Sequence, residues 1–355
     1  MKSNEVLLEE KKKMIVDAGL RLHESGLIAR TWGNISYRID DSSFLITPSG
    51  RSYLTLTPEE IVTIKISDLS YDGEIKPSSE KGVHAKVYSL FPDMNFVIHT
   101  HQINASAISA TGLRTFHVHE GYSTLNASVH IAEYALPGTK KLMAHVERAL
   151  KLSSGQAVIM ENHGALCFGK SYEEAFETAE ALEYASQDFI YEQYHKKSGY
   201  QDQDDSRLSH FAISKYLGTL SKYKEINTVT DLNSDEILNA SVHKSYKSNP
   251  FKILVQSPEI MALSQYDYKL KPFLDDYAQI AGHNVVMVKN LGAICYGRDE
   301  NEAQAVALVT QKNGKAFIAA ALFENVKPIH PIESLLMRLV YKTKYSKQAE
   351  NKGGI

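Results

Sequence analysis

Three histidines have the residue type and the spacing for metal chemistry. His99 and His101 stand two apart in Val97-Ile98-His99-Thr100-His101, at the end of the apolar run Asn95-Phe96-Val97-Ile98. In a β-strand that spacing puts both imidazoles on one face. His163 stands in Glu161-Asn162-His163-Gly164-Ala165, a tight-turn sequence that follows a second apolar run, Ala157-Val158-Ile159-Met160. Two imidazoles from a strand and one from a turn make an open three-ligand site. Three protein ligands with a vacant position is the pattern of a catalytic zinc, not a structural one. The chain has fourteen histidines, so the His-x-His pair by itself is a weak signal. Its company gives it weight.

That company is a set of three short polar turns upstream: Thr31-Trp32-Gly33-Asn34, Thr47-Pro48-Ser49-Gly50 and Pro77-Ser78-Ser79-Glu80. Glycine lets backbone N–H groups approach an anion closely, and serine and asparagine add donors. Together such turns can cradle a phosphate without a Walker or Rossmann loop. Each alone is an ordinary β-turn, because Gly, Pro, Asn and Ser dominate turns.

In this order and spacing the motifs Gly-Asn, Thr-Pro-Ser-Gly, Pro-Ser-Ser-Glu, His-Thr-His and Asn-His-Gly resemble the class II aldolase/adducin family, over about Leu7 to Tyr194. The resemblance implies an α/β fold of three αβα layers with a mainly antiparallel central sheet. It implies a zinc, or another divalent metal, on His99, His101 and His163. It puts the catalytic carboxylate on Glu80 and phosphate binding on Gly33, Asn34, Ser49, Gly50, Ser78 and Ser79, with Thr31 as a further candidate. The implied reaction is that of the family's sugar-phosphate aldolases. A ketose 1-phosphate is cleaved to dihydroxyacetone phosphate and an aldehyde through a metal-stabilised enediolate. The glutamate at position 80 favours the aldolases over the related pentulose-phosphate 4-epimerases, which tend to carry aspartate there. A pentulose-phosphate 4-epimerase or a sugar-acid-phosphate decarboxylase on the same site, and the family's non-catalytic adducin branch, are the alternatives; family dehydratases use a similar metal scaffold. One departure stands out. The tyrosine acid of these aldolases belongs in the segment Thr115 to Tyr122, where Tyr122 is displaced and His119 or Glu120 falls closer.

The elements that must position these residues follow from periodicity. Residues 5–25 place Val6, Leu7, Met14, Ile15, Ala18 and Leu22 on or near one helical face, and Gly26 stops that helix. Short strands follow between Gly33 and Tyr71. Glu80 to Leu90 reads as a helix, which puts Ser78 and Ser79 at an N-terminus that favours anions. A helix over about Asn104 to Ala110 follows the histidine strand. Ser171 and Glu174 form a capping box for a long helix. Lys196 to Asp205 reads as a polar linker, and Asn239 to Asn249 as a second polar stretch.

The rest of the chain is a partial repeat. Asn290-Leu291-Gly292-Ala293-Ile294-Cys295-Tyr296-Gly297 matches Asn162-His163-Gly164-Ala165-Leu166-Cys167-Phe168-Gly169. Asp299, Glu302, Ala303, Ala307, Phe317 and Ile318 then fall on Ser171, Glu174, Ala175, Ala179, Phe189 and Ile190. Upstream, the strand Lys252 to Pro258 is aligned so that Gln256 replaces His99 and Pro258 replaces His101, while Leu291 replaces His163. Every ligand is lost and the packing positions remain. The reading is a catalytic domain over 1–195 and, over 196–355, a linker and a shortened degenerate copy. That copy either supplies alternate contacts of the ring-shaped homo-oligomer that the resemblance implies or covers the first domain.

Length and composition bound the rest. The 355 residues suffice for two cores. A net charge of −3 from 39 basic and 42 acidic residues gives no basic field for nucleic acid. No apolar stretch reaches a membrane span and the N-terminus lacks a signal segment, so a cytoplasmic protein is expected; the resemblance implies a small sugar phosphate as its partner. Cys167 and Cys295 lie in apolar runs and read as core residues.

Overall fold

The computed structural model describes residues 2–28, 32–218, 250–266, 268–280 and 284–340. Thr31 and the stretch Asn239 to Asn249 lie outside the described residues. The chain divides into two compact units, one of residues 1–109 and 113–189, the other of 110–112 and 190–355.

The first unit is built on an eight-stranded sheet. Its strands are β1 (Asn34–Arg38), β2 (Ser43–Ile46), β3 (Val62–Lys65), β4 (Phe96–Thr100), β5 (Thr115–His117), β6 (Ser128–Ala132), β7 (Ala157–Met160) and β8 (Ala165–Gly169). The order across the sheet is β3-β2-β1-β4-β8-β7-β6-β5. Among the described residues every pairing is antiparallel except that of β6 with β7. The helices are α1 (Lys2–Glu24), α2 (Lys81–Leu90), α3 (Ile103–Ser109), α4 (Lys140–Leu152) and α5 (Tyr172–Ser198), the last running on into the second unit.

The two sheet faces are covered by different helices. Phe44, Ile46, Val97, Leu166 and Phe168 form one core with Val83, Val87 and Tyr88 of α2 and Leu142, Val146 and Leu150 of α4. Phe96 points the other way and meets Tyr172 of α5 edge-on, with ring centroids 5.5 Å apart. Arg21 of α1 lies over Phe176 on that side, 4.1 Å from the ring centroid. This is the three-layer αβα arrangement with a mainly antiparallel sheet that the motifs imply. Period two places His99 on the face of Val97, under α2.

The second unit holds a three-stranded antiparallel sheet of order β10-β11-β9, from β9 (Phe251–Val255), β10 (Val285–Val288) and β11 (Gly292–Gly297). Its helices are α6 (Asp205–Leu217), α7 (Pro258–Gln265), α8 (Asp275–Ile280), α9 (Glu300–Leu322) and α10 (Pro331–Val340). The centre strand β11 pairs with β9 and β10 as β8 pairs with β4 and β7. Turn details recur as well. Asn162 and Asn290 both take positive φ, 59° and 60°. The amides of His163 and Leu291 donate to the carbonyls of Met160 and Val288. The amides of Asn162 and Asn290 donate to the carbonyls of Ser109 and Ser264. The second sheet and its helices thus resemble a degenerate copy of the β4–α3–β7–β8–α5 part of the first unit.

The ladder corrects one alignment. Ala165 faces Thr100 and Leu166 faces His99, while Ala293 faces Val255 and Ile294 faces Leu254. Leu254 therefore takes the place of His99, and Gln256 that of His101; Pro258 opens α7 instead. The polar ends of the two strands suggest a match two residues away, but the hydrogen-bond ladder sets register. The ligand positions are lost in either alignment.

A second correction concerns the linker. Lys196 to Ser198 belong to the last turn of α5, where basic side chains favour the helix C-terminus. Gly199, with φ 80°, ends it. Asp204 caps α6, accepting from the amides of Ser206 and Arg207. Most of the polar residues in this stretch are helix ends, and only residues 199–204 lie between the helices.

Among the described residues no helix is long and apolar enough to cross a membrane. Cys167 and Cys295 are buried free thiols.

Candidate metal centre

β4 and the β7–β8 turn bring the three histidines together. One ligand-capable atom of each lies within 4.8 Å of the others, and all three residues are buried. His99 Nε2 is 2.9 Å from His101 Nε2 and 3.0 Å from His163 Nε2. His99 Nδ1 is 2.8 Å from the carbonyl oxygen of Ala165, the residue after the turn. A carbonyl only accepts, so Nδ1 carries the proton and Nε2 presents its lone pair to the cluster.

Two glycines let the backbone come this close. A Cβ on Gly164 would lie 2.2 Å from the Thr100 carbonyl oxygen and 3.0 Å from the His99 ring. A Cβ on Gly33 would lie 2.7 Å from the His99 carbonyl oxygen, and Gly33 has φ +107°.

Glu80 closes the site from α2. Its Oε2 is 3.2 Å from His99 Nε2 and its Oε1 is 3.2 Å from His163 Nε2. Burial would raise its pKa, but His99, His163 and His101 together hold the carboxyl well below the usual range. Glu80 sits at the N-cap of α2 without capping it through its side chain. Its carboxylate is turned onto the imidazoles instead.

Behind Glu80 runs a buried relay. Asn34 Nδ2 donates to Glu80 Oε2 at 3.1 Å. His84 Nε2 donates to Asn34 Oδ1. Ser36 Oγ is 2.6 Å from His84 Nδ1 and 2.7 Å from the Tyr88 hydroxyl. Burial, with His99 nearby, pulls the His84 pKa down to about 3, so the ring is neutral with one donor and one acceptor. The chain of donors therefore runs from Tyr88 through Ser36, His84 and Asn34 to the carboxylate. Sequence reading missed His84, Ser36 and Tyr88. The signal was there: Glu80, His84 and Tyr88 fall at i, i+4 and i+8, one face of a helix.

The polar turns converge on the same end of the sheet. Pro48 and Pro77 form an isolated antiparallel bridge, the Ser49 amide donates to the Lys76 carbonyl, and the Ser78 amide donates to the Thr47 carbonyl. Thr47 Oγ1 accepts from the amide of Ile35, next to Asn34. Asn34 and Ser78 are buried, Gly33 and Ser49 are partly buried, and Gly50 and Ser79 are exposed. Ser78 Oγ accepts from the Glu80 amide at 3.2 Å. Tyr122 donates to Asp188 Oδ2 at 2.6 Å, and burial with that carboxylate pushes its pKa up to about 12.

The donor set fits a divalent metal. It has three buried imidazoles, one with its tautomer fixed by a backbone carbonyl, and an ionised carboxylate beside them. Lone pairs that face one another at 2.9 Å and 3.0 Å repel unless a cation or a proton lies between them.

Residues 13–190 match the family described as Class II Aldolase and Adducin N-terminal domain. The chain belongs to the class II aldolase/adducin family. A 5-deoxy-D-ribulose 1-phosphate aldolase of Bacillus thuringiensis is 32% identical over 184 residues, 51% of this chain and 85% of that protein. The L-fuculose phosphate aldolase of Escherichia coli K12 is 32% identical over 179 residues, 50% of this chain and 81% of that protein. A methylthioribulose-1-phosphate dehydratase of Yersinia enterocolitica is 29% identical over 175 residues, 46% of this chain and 83% of that protein. Family membership, the sheet and the histidine cluster make this a class II aldolase-like enzyme with a three-histidine metal site.

Proposed function

We propose that the chain is a zinc-dependent lyase that cleaves a ketose 1-phosphate into dihydroxyacetone phosphate and an aldehyde. The observation that carries this reading is the Glu80 carboxylate lying 3.2 Å from two of the three clustered imidazoles, beside a line of turn residues that runs out to solvent. The names of two relatives, a ribulose 1-phosphate aldolase and a fuculose phosphate aldolase, support the same substrate class.

A divalent metal held by His99, His101 and His163 supplies Lewis-acid polarisation of the ketose carbonyl and offsets negative charge as the carbon–carbon bond breaks. Glu80 moves the proton at the carbon that this cleavage frees. As a carboxylate it can accept a proton, and as the acid return it. Asn34, held by His84, fixes the carboxylate's rotation. Gly33, Ser49, Gly50 and Ser79 hold the phosphate with backbone and hydroxyl donors. Asn34 and Ser78 stand between that group and Glu80, Ser78 by accepting the Glu80 amide. No Schiff-base lysine is needed for such a cleavage.

The hydroxyl across the breaking bond must lose its proton to give the aldehyde. Tyr122, the tyrosine of the expected segment, is engaged with Asp188. That observation, with the dehydratase relative, favours loss of water from a ketose 1-phosphate as the second reading. One experiment separates the two. The metal-loaded protein is incubated with a panel of ketose 1-phosphates and with the free sugars, and products are identified by mass. Dihydroxyacetone phosphate supports the lyase, and a dehydrated ketose phosphate supports the dehydratase. Equal kcat/KM for free and phosphorylated sugars would sink both.

A further inference from the structure

Arg114 and Glu161 meet close to the histidine turn. Arg114 Nη1 lies 2.8 Å from Glu161 Oε2. The same oxygen accepts from the Tyr134 amide at 2.9 Å. Among the described residues Glu161 Oε1 has no partner, and it is not sealed from solvent. The other side-chain N–H groups of Arg114 have no partner there either, and the side chain is 55% exposed. One carboxylate oxygen thus fastens the pair, while an acceptor and several donors stay open beside it.

The strand registers set the place of this pair. At one end of the sheet β2, β4, β6 and β7 finish and β1, β5 and β8 start. Across that end come first the turns before β1 and after β2, then His99 and His101 at the end of β4. His163 follows in the β7–β8 turn, then Glu161 just after β7, then Tyr134 after β6 and Arg114 before β5. The histidines therefore stand between the polar turns and the Arg114–Glu161 pair. Neighbouring strands lie about 4.8 Å apart, so Glu161 begins about one strand spacing beyond β8.

We infer that Arg114 and Glu161 form a specificity subsite for a hydroxyl group at the end of the ketose remote from its phosphate. The inference rests on the reading of the site as one for ketose 1-phosphates. A ketose with its phosphate on the turns and its carbonyl at the histidines extends its far carbons toward Glu161. A hydroxyl there accepts from Arg114 and donates to Glu161 Oε1 at once. A carboxylate in that place would face Glu161 Oε1. A methyl group would displace water from both side chains and replace none of its hydrogen bonds. The substrate class is therefore a ketose 1-phosphate that keeps its terminal hydroxyl, and the aldehyde released carries that hydroxyl. The pair selects the substrate and takes no proton from it.

The test is calorimetric binding to the full-length, zinc-loaded Glu80→Gln protein, whose slow turnover leaves the ketose intact. The probes are D-ribulose 1-phosphate and D-xylulose 1-phosphate, each beside its 5-deoxy analogue, so that each pair differs by one hydroxyl. The hydroxylated member is expected to bind roughly 10- to 100-fold more tightly. Adding Arg114→Met or Glu161→Gln is expected to erase that preference, while the 5-deoxy compounds bind as before and metal content holds. Arg114→Lys keeps a donor and is expected to retain part of the preference. The Arg114 head is exposed, so its variants keep the fold, which their Tm checks. Equal binding within each pair, or an equal loss for both members in Arg114→Met, would overturn the subsite and leave the ketose-phosphate reading standing. A preference that survived both substitutions would overturn it too. If no ketose phosphate bound, the reading of the site would fall, and the subsite with it.

Discussion

At the scale of single residues, Glu80 is held by neighbours on both sides: two imidazoles in front and Asn34 behind. Glu80→Gln keeps size and polarity but removes the proton acceptor. Turnover is expected to fall about 10²–10⁴-fold with metal content unchanged, as measured by steady-state kinetics beside elemental analysis. An unchanged rate would reduce Glu80 to a residue that only starts a helix. His84 acts one step further out. His84→Ala releases Asn34, so kcat is expected to drop roughly 10–100-fold while metal content and KM hold. His84→Gln keeps a donor near Asn34 and is expected to recover part of the loss. If both variants lost rate and thermal stability together, the ring would be a packing element only. The histidine ligands were legible in the sequence, because a period of two and a glycine turn are local signals. The relay was not, because it joins α2 to β1 across a gap in sequence that no spacing rule spans, although its helical half obeys one.

At the scale of elements, the site depends on how closely β4 approaches the β7–β8 turn. Gly164 is the narrowest point, since any Cβ would strike the Thr100 carbonyl at 2.2 Å. Gly164→Ala must therefore move backbone, at a cost of about 1–3 kcal/mol. For a unit of this size that corresponds to a fall in Tm of roughly 2–12 °C, readable by calorimetry. The same shift moves His163 relative to His99, so metal affinity is expected to fall with stability. An alanine variant that melts with the wild type would mean that the turn relaxes freely. Element types were largely readable: the strands after Gly33, α2, α3 and the capped start of α5 sit where periodicity and caps place them. Even there the chemistry differs in detail. Glu174 accepts from the Lys170 amide instead of returning to Ser171. The region of Lys196 to Asp205 misled because charged and polar residues cap helices as readily as they fill loops.

At the scale of the whole molecule, the described residues carry two related strand–turn–helix assemblies and one set of ligands. The second assembly keeps the close approach, since a Cβ on Gly292 would lie 2.3 Å from the Val255 carbonyl, as one on Gly164 would strike Thr100. The repeat was visible because turn glycines, small residues and caps are dictated by the backbone and survive loss of function. The upstream register was not, because a short apolar strand with a polar end aligns equally well two residues out. Wild-type protein is accordingly expected to bind one divalent metal per chain. The ladder makes a sharper claim, that Leu254, Gln256 and Leu291 stand where the ligands of the first unit stand. Leu254→His, Gln256→His and Leu291→His together should create a second site. Leu254 and Leu291 are only partly buried and Gln256 is exposed, so the change is tolerable for folding. The carbonyl of Ala293 occupies the place of the Ala165 carbonyl that fixes the His99 tautomer. The described residues offer no counterpart of Glu80, whose place in the copy falls before β9, so the new site should be the weaker one. Titration with zinc in competition with a chromophoric chelator should then show two binding events in the triple variant and one in the wild type. A variant with histidines at Gln256, Pro258 and Leu291, which follows the alignment of polar strand ends, should show only one. If the two variants bound alike, the copy would share the strand order of the first unit without the side-chain geometry that a metal requires.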